Sequence, residues 1–243
     1  MYTWTVENVA FVGTGRFGAQ MAARFANSKG VSAVAIGLEE DAESTILPAA
    51  RKLILKTDLV TKGNMQNGEL AADQAQDGIK RLIVTELPKF KNFIVLAGAG
   101  GGFGGGSVLV IVETIKKILS DRGVADVDER VGVALFMPAL DADELQKKNA
   151  GFLATALSDH FAKKSLINPY VVFPFERDPD KSMHAIVNLI EDQNLYVSVA
   201  LVRYPREEEQ TAEPLRPSRL PPQPTTVNVS VNGPAGKKNV YGE

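Results

Sequence analysis

The chain has 243 residues, of which 44% are hydrophobic, so it is long enough to form one substantial domain. Its formal net charge of −2 argues against a general binder of nucleic acid or anionic membranes. It has no cysteine and only two histidines, which excludes disulfides, thiolate chemistry and a histidine-rich metal site. No signal peptide and no apolar run of membrane-spanning length are present, and we expect a cytoplasmic protein.

Short apolar runs alternate with helical patterns along most of the chain. Buried strands are predicted at residues 9–12, 31–36, 53–55, 93–97, 131–137 and 170–173. Helices are predicted between them, notably at residues 39–52 (interrupted near Pro48), 69–87, 107–121 and 143–164. This alternation predicts an α/β fold with a mainly parallel, Rossmann-like sheet and helices on both faces.

The segment from residue 181 to residue 243 is harder to interpret. Apolar positions in residues 181–204 fit one helical face, but the β-branched residues at 197–202 also fit a strand. From Pro205 onward the chain carries seven of its thirteen prolines and an acidic run. We therefore predict one domain over residues 1–205 and a largely disordered tail over residues 206–243. The alternating residues 225–231 could still add to a sheet edge.

Two glycine-rich stretches each follow a predicted strand and open a predicted helix. The first, Gly13-x-Gly15-x-x-Gly18, has the spacing of a dinucleotide fingerprint, with Glu39 or Glu40 as a candidate ribose ligand. The second, GAGGGFGGGS at residues 98–107, allows the main chain to approach phosphate groups in front of a helix N-terminus. A flexible linker is the alternative, but linkers do not join a core strand to an amphipathic helix. Two such loops at neighbouring strand ends indicate one nucleotide held from both sides.

These motifs resemble the nucleotide-binding domain of the tubulin/FtsZ superfamily over residues 9–205. GAGGGFGGGS is similar to the family signature GGGTGTG or GGGTGSG, and residues 15–25 resemble the first loop and helix of tubulin. Residues 62–69 resemble the loop that senses the γ-phosphate. Pro138 and the Lys-Asn-Ala run at 148–150 resemble the FtsZ segment that holds the ribose. His184-x-x-x-Asn188 resembles the part of tubulin's central helix that contacts guanine, and the Arg-Tyr-Pro at 203–205 favours a helix over residues 181–204.

The resemblance implies a site for GTP or GDP with Mg²⁺, in which Gln20, His184 and Asn188 recognise the base. The residues expected to bind the nucleotide are Gly13, Thr14, Gly15, Arg16, Gly18, Gln20, Asn67, Gly68, Gly98, Gly100, Gly101, Gly102, Phe103, Gly104, Gly105, Gly106, Pro138, Asp143, Glu144, His184 and Asn188.

The chain also departs from the family pattern. Phe103 and Gly105 replace the signature threonines, and the family's ribose glutamate and the arginine after it fall on Ala142 and Gln146. Asp141, Asp143 or Glu144 is the expected substitute. The acidic run at residues 207–209 lacks the asparagine-x-aspartate context of the family's catalytic loop, and we expect that loop and the second domain to be missing.

These departures leave the catalytic residues unassigned. The resemblance implies a filament component, cap or regulator linked to the cytoskeleton or cell division, with weak GTPase activity. Its partner would be a full-length tubulin/FtsZ-like protein or a second copy. An NAD(P)-binding oxidoreductase and a degenerate module without nucleotide are the alternatives.

Overall fold

The computed structural model describes residues 4–27, 31–40, 48, 51–162, 170–173, 179–191, 201–202 and 226–227. Its centre is a six-stranded parallel sheet with the strand order β3-β2-β1-β4-β5-β6. The strands are β1 (Val9–Thr14), β2 (Ser32–Leu38), β3 (Lys52–Leu55), β4 (Asn92–Gly98), β5 (Val131–Phe136) and β6 (Tyr170–Phe173). The helices are α1 (Gly15–Ala26), α2 (Met65–Gln74), α3 (Gln76–Glu86), α4 (Gly102–Gly106), α5 (Val108–Asp121), α6 (Glu144–Ala162) and α7 (Pro179–Glu191).

Helices cover both faces of the sheet because its central strands are nearly continuous apolar runs. On one face, Val12 and Val95 belong to a buried cluster with Ile79 of α3 and Ile111 of α5. On the other face, residues of β1 and β4 pack with α1 and α7. There the rings of Phe11 and Phe25 stack with their centroids 4.0 Å apart. The predicted α/β architecture is confirmed.

The strand order creates a crevice between β1 and β4. From β1 the chain adds β2 and β3 on one side, and then crosses to add β4, β5 and β6 on the other. The loops that follow β1 and β4 therefore leave the same edge of the sheet in opposite directions. In open α/β sheets, ligands bind at this position, outside the carboxyl ends of the strands. Both glycine-rich stretches begin there.

Some predicted elements differ from those observed. The helix predicted at residues 69–87 is two helices, α2 and α3, because the backbone leaves helical geometry at Ala75. Part of the second glycine stretch is itself helical, as α4. The helix predicted at residues 39–52 is wrong at Lys52, which begins β3 and hydrogen-bonds along β2; residues 41–47 lie outside the described part.

The extended helical interpretation of residues 181–204 is also wrong. The helix α7 is described over Pro179–Glu191 and residues 192–200 lie outside the described part, but Leu201–Val202 form a strand, β7, that pairs antiparallel with β8 (Thr226–Val227). The strand β8 lies within residues 225–231, the segment predicted as a possible edge strand. Residues 203–225 and 228–243, including the acidic run, lie outside the described part. Among the described residues, no helix combines the length and apolar character needed to cross a membrane.

Candidate nucleotide site

The first glycine turn joins β1 to α1 and contacts the second glycine stretch directly. Gly15 has a φ of +65°, which residues with a Cβ rarely adopt, and a Cβ there would lie 2.7 Å from Gly104 Cα. A Cβ on Gly18 would overlap the carbonyl oxygen of Leu96, and one on Gly13 would overlap that of Gly18. The glycines of the fingerprint therefore allow α1 to lie close against β4 and α4.

The second glycine stretch divides into two parts with different roles. In α4, a Cβ on Gly102 would overlap the carbonyl oxygen of Thr61, and one on Gly106 would overlap that of Met65. A Cβ on Gly68 of α2 would likewise overlap the Gly102 carbonyl. These glycines allow the α4 and α2 backbones to touch, a packing role that the sequence interpretation did not include.

Gly101, in the turn at residues 98–101, is not packed against other backbone atoms as the glycines of α4 are. It is exposed, and the nearest atom to a Cβ built on it is the Gly98 carbonyl oxygen, 4.0 Å away. Gly101 is also the N-cap residue of α4, where the first N–H groups of a helix have no partner within the helix. The open space beside Gly101 is therefore where an anionic ligand can approach the main chain.

Two expected site residues place their side chains in the interior. The hydroxyls of Thr14 and Ser107 lie 2.6 Å apart and are fully buried, which links the end of β1 to the junction between α4 and α5. The Phe103 ring belongs to the apolar core and is 4% exposed. In this structure, any contact of Thr14 or Phe103 with a ligand must use the main chain.

The segment before α2 lies across from the 98–101 turn. The Asn64 carboxamide oxygen accepts a hydrogen bond from the Asn67 N–H (3.0 Å) and caps α2, while Asn67 Nδ2 donates to the Val60 carbonyl (2.8 Å). Asn149 of α6 joins this segment to the turn: its Nδ2 lies 3.0 Å from the Gly63 oxygen and 3.5 Å from the Gly100 oxygen. This contact could not be predicted from the sequence, because both partners are main-chain groups of distant loops.

The carboxylates considered for the ribose have local partners on the protein surface. Asp143 Oδ1 accepts a hydrogen bond from the Gln146 N–H (2.8 Å) at the start of α6, and Glu144 pairs with Lys147 (2.8 Å). Glu39, the alternative candidate, pairs with Lys56 after β3 (3.1 Å). Pro138 is half-buried after β5. A role for these residues in holding ribose stays a prediction.

The residues expected to recognise the base lie on two helices that contact each other. His184 and Asn188 are exposed and one turn apart on α7, and His184 Nδ1 lies 2.7 Å from the Asp180 carbonyl oxygen. Asp180 also forms an ion pair with Nε of Arg24 on α1 (3.4 Å), and Arg24 lies one helical turn after Gln20. Within the described residues, no hydrogen bond joins Gln20 to either α7 side chain, so the base site stays a prediction.

Solved structures of tubulin-like proteins share this fold. CetZ1 of Haloferax volcanii, as a GDP-bound monomer, matches 74% of this chain and 58% of its own, with 20% identity and a TM-score of 0.59. A GTPγS-form protofilament of TubZ from Bacillus thuringiensis serovar israelensis matches 80% and 57%, with 13% identity and a TM-score of 0.58. A point mutant of FtsZ from M. jannaschii matches 83% and 59%, with 21% identity and a TM-score of 0.54.

No protein-family model matches the chain, and no curated protein matches its sequence. The chain spans less than two thirds of the length of the solved structures that it resembles. At these low identities the likeness establishes the fold alone, which this chain shares with CetZ1, TubZ and FtsZ.

Proposed function

We propose that this chain binds GTP or GDP at the crevice between β1 and β4 and acts as a nucleotide-dependent component, cap or regulator of a filament. The observation that carries the proposal is the open, exposed position of Gly101, at the N-terminus of α4 and beside the first glycine turn. Main-chain N–H groups in such a position suit phosphate. The fold adds support, because neighbours with it are described as a GDP-bound monomer and as a GTPγS-form protofilament.

The proposed contacts divide by the part of the nucleotide that they serve. Main-chain groups of the first glycine turn and of the 98–101 turn would receive the phosphates, with the exposed Arg16 at the start of α1. Asn67 and Gly68 belong to the segment that resembles the γ-phosphate sensor, and Gly68 lies directly against Gly102 of α4. Gln20, His184 and Asn188 would contact guanine, and Pro138, Asp143 and Glu144 the ribose.

Mg²⁺ would be held mainly by phosphate oxygens and water. The described residues contain no group of three or more histidine, aspartate or glutamate side chains that could hold a metal ion. A nucleotide-borne Mg²⁺ typically uses only one or two protein carboxylates. When bound, the ion would offset the negative charge of the phosphates.

Weak intrinsic GTPase activity is part of the proposal, with the catalytic residues unassigned. The acidic run at residues 207–209 lacks the asparagine-x-aspartate context that the resemblance associates with catalysis. A partner that contacts the bound nucleotide would then be needed for fast turnover. We propose either a full-length tubulin/FtsZ-like protein or a second copy of this chain, in a cytoskeletal or cell-division role.

An NAD(P)-binding oxidoreductase is the second candidate. The strand order β3-β2-β1-β4-β5-β6 is the order of dinucleotide-binding sheets, and the first glycine turn has the matching fingerprint. The 98–101 turn with its open Gly101 favours the first candidate, because dinucleotide binding at the first turn does not require a second phosphate loop.

Asn188→Ala tests the proposed base site. We expect roughly tenfold or more loss of GTP affinity, because a guanine edge that becomes buried on binding without its hydrogen-bond partner costs about 1–3 kcal/mol. Calorimetry with GTP and ATP on the wild type and the variant measures this loss and the preference for guanine. Asn27→Ala, at an exposed residue after α1, is the matched control and should bind GTP normally. Equal wild-type affinities for GTP and ATP, or an unaffected variant, would contradict guanine recognition by Asn188.

A further inference from the structure

One side of α6 contacts both the 98–101 turn and the segment before α2. Asn149 Nδ2 is 3.0 Å from the Gly63 oxygen and 3.5 Å from the Gly100 oxygen. A carboxamide nitrogen carries two hydrogens, so this one group can donate to both carbonyls. Gly63 precedes α2, and Gly100 lies in the turn after β4. Asn149 therefore connects two segments that are distant in the sequence.

Neighbouring residues of α6 reinforce this contact. A Cβ on Gly63 would lie 2.7 Å from Leu145 Cδ2, and one on Gly100 would lie 3.0 Å from Gln146 Cβ. Leu145 is one helical turn before Asn149, so the two side chains emerge on the same side of α6. The amide donor thus comes from a regular helix that already packs against both loops, which fixes its direction.

The direction of the Gly100 carbonyl determines where the next N–H points. Among the described residues every peptide bond is trans, and in a trans peptide the C=O and N–H point in opposite directions. With the Gly100 C=O directed toward Asn149, the Gly101 N–H points away from α6. A peptide between two glycines can reverse easily, because neither residue has a Cβ to oppose the rotation.

We propose that Asn149 is a positioning residue that holds the Gly100–Gly101 peptide so that the Gly101 N–H can donate to a phosphate oxygen. Without the Asn149 donor, the peptide could reverse and present its carbonyl oxygen to the phosphate. The partial negative charge of that oxygen would then repel the phosphate. This inference rests on the proposed nucleotide function. It assigns Asn149 an effect on phosphate binding without direct contact with the nucleotide.

The test compares Asn149→Ala, which removes the donor, with Asn149→Asp, which keeps the shape but replaces the donor with a negative acceptor. By calorimetry with GDP and Mg²⁺ we expect about tenfold weaker binding for Asn149→Ala and about a hundredfold for Asn149→Asp. Thr155→Asp places the same charge on an exposed part of α6 and should bind GDP as the wild type does.

Thermal unfolding of the nucleotide-free proteins separates positioning from a general structural role. The unfolding midpoints of both Asn149 variants should stay within a few degrees of the wild type. If the wild type binds GDP and both Asn149 variants bind it equally tightly, the inference about Asn149 is wrong and the proposed function is unaffected. A large fall in the midpoint that accompanies the loss of affinity would also overturn the inference. A wild type that binds no GDP or GTP would overturn the proposed function together with the inference.

Discussion

Gly101→Val is expected to lower GTP affinity about a thousandfold while the domain stays folded. Gly101 has φ −77° and ψ 151°, a conformation that valine adopts readily, and apart from its own chain neighbours no protein atom lies closer than 4.0 Å to a Cβ there. The methyl groups would fill the space proposed for phosphate and displace it from the main-chain donors. Losing two or three charge-assisted hydrogen bonds, each contributing about 1.5–3 kcal/mol, corresponds to a change of about this size.

Calorimetry with GTP measures the loss, and circular dichroism confirms that the variant is folded. Gly151→Val is the matched control, because outside the backbone of its own helix Gly151 of α6 also has no atom within 4 Å of its Cβ position. It should bind GTP normally. Gly104→Val is a poorer probe, since a Cβ there would lie 3.3 Å from the Thr14 oxygen and 3.4 Å from the Gly98 oxygen. Unchanged affinity of a folded Gly101→Val would show that the 98–101 turn does not hold phosphate.

Gly106→Ala is expected to remove most of the stability of the domain. A Cβ there would overlap the Met65 carbonyl oxygen and lie 2.7 Å from the Glu69 nitrogen, both backbone atoms of α2. Because two backbones meet, the contact can be relieved only by moving α2 away from α4. We expect a loss of about 4 kcal/mol or more in the free energy of unfolding, against about 5–15 kcal/mol for a typical domain.

Urea unfolding of Gly106→Ala and Gly151→Ala measures the difference. In a helix interior, alanine is normally more stable than glycine by roughly 0.5–1 kcal/mol, and Gly151→Ala should show that gain. The two variants make the same chemical change in helices, so opposite signs isolate the effect of the α2–α4 contact. An equal gain in both variants would mean that α4 and α2 are not in close backbone contact.

The fold can be predicted from the sequence because the central strands are apolar runs that end at glycine turns. The run at 93–97 and the glycines after it predict a buried strand and a turn at its carboxyl end, and the structure has both. The alternation of such runs with helical patterns limits the chain to a parallel sheet covered by helices. The order of the strands in the sheet could not be predicted from local sequence patterns, because it depends on which strands the crossover connections bring side by side.

The features that the sequence interpretation missed depend on tertiary contacts. Glycine disfavours helices, so α4 is not predicted by local propensity and is stabilised by its packing against α2. The glycine pattern therefore combines two requirements, close backbone packing at Gly102 and Gly106 and open space at Gly101. The Asn149 contacts and the buried Thr14–Ser107 pair join residues 49 or more positions apart, beyond the reach of any motif.

The most direct test of guanine-nucleotide binding is native mass spectrometry of the freshly purified chain, before and after incubation with GTP and Mg²⁺. We expect a bound species with the mass of GDP or GTP for the wild type, and none for Gly101→Val. A bound species with the mass of NAD or NADP would instead support the oxidoreductase. A wild-type spectrum without bound nucleotide, even after incubation with GTP and Mg²⁺, would contradict the proposed function.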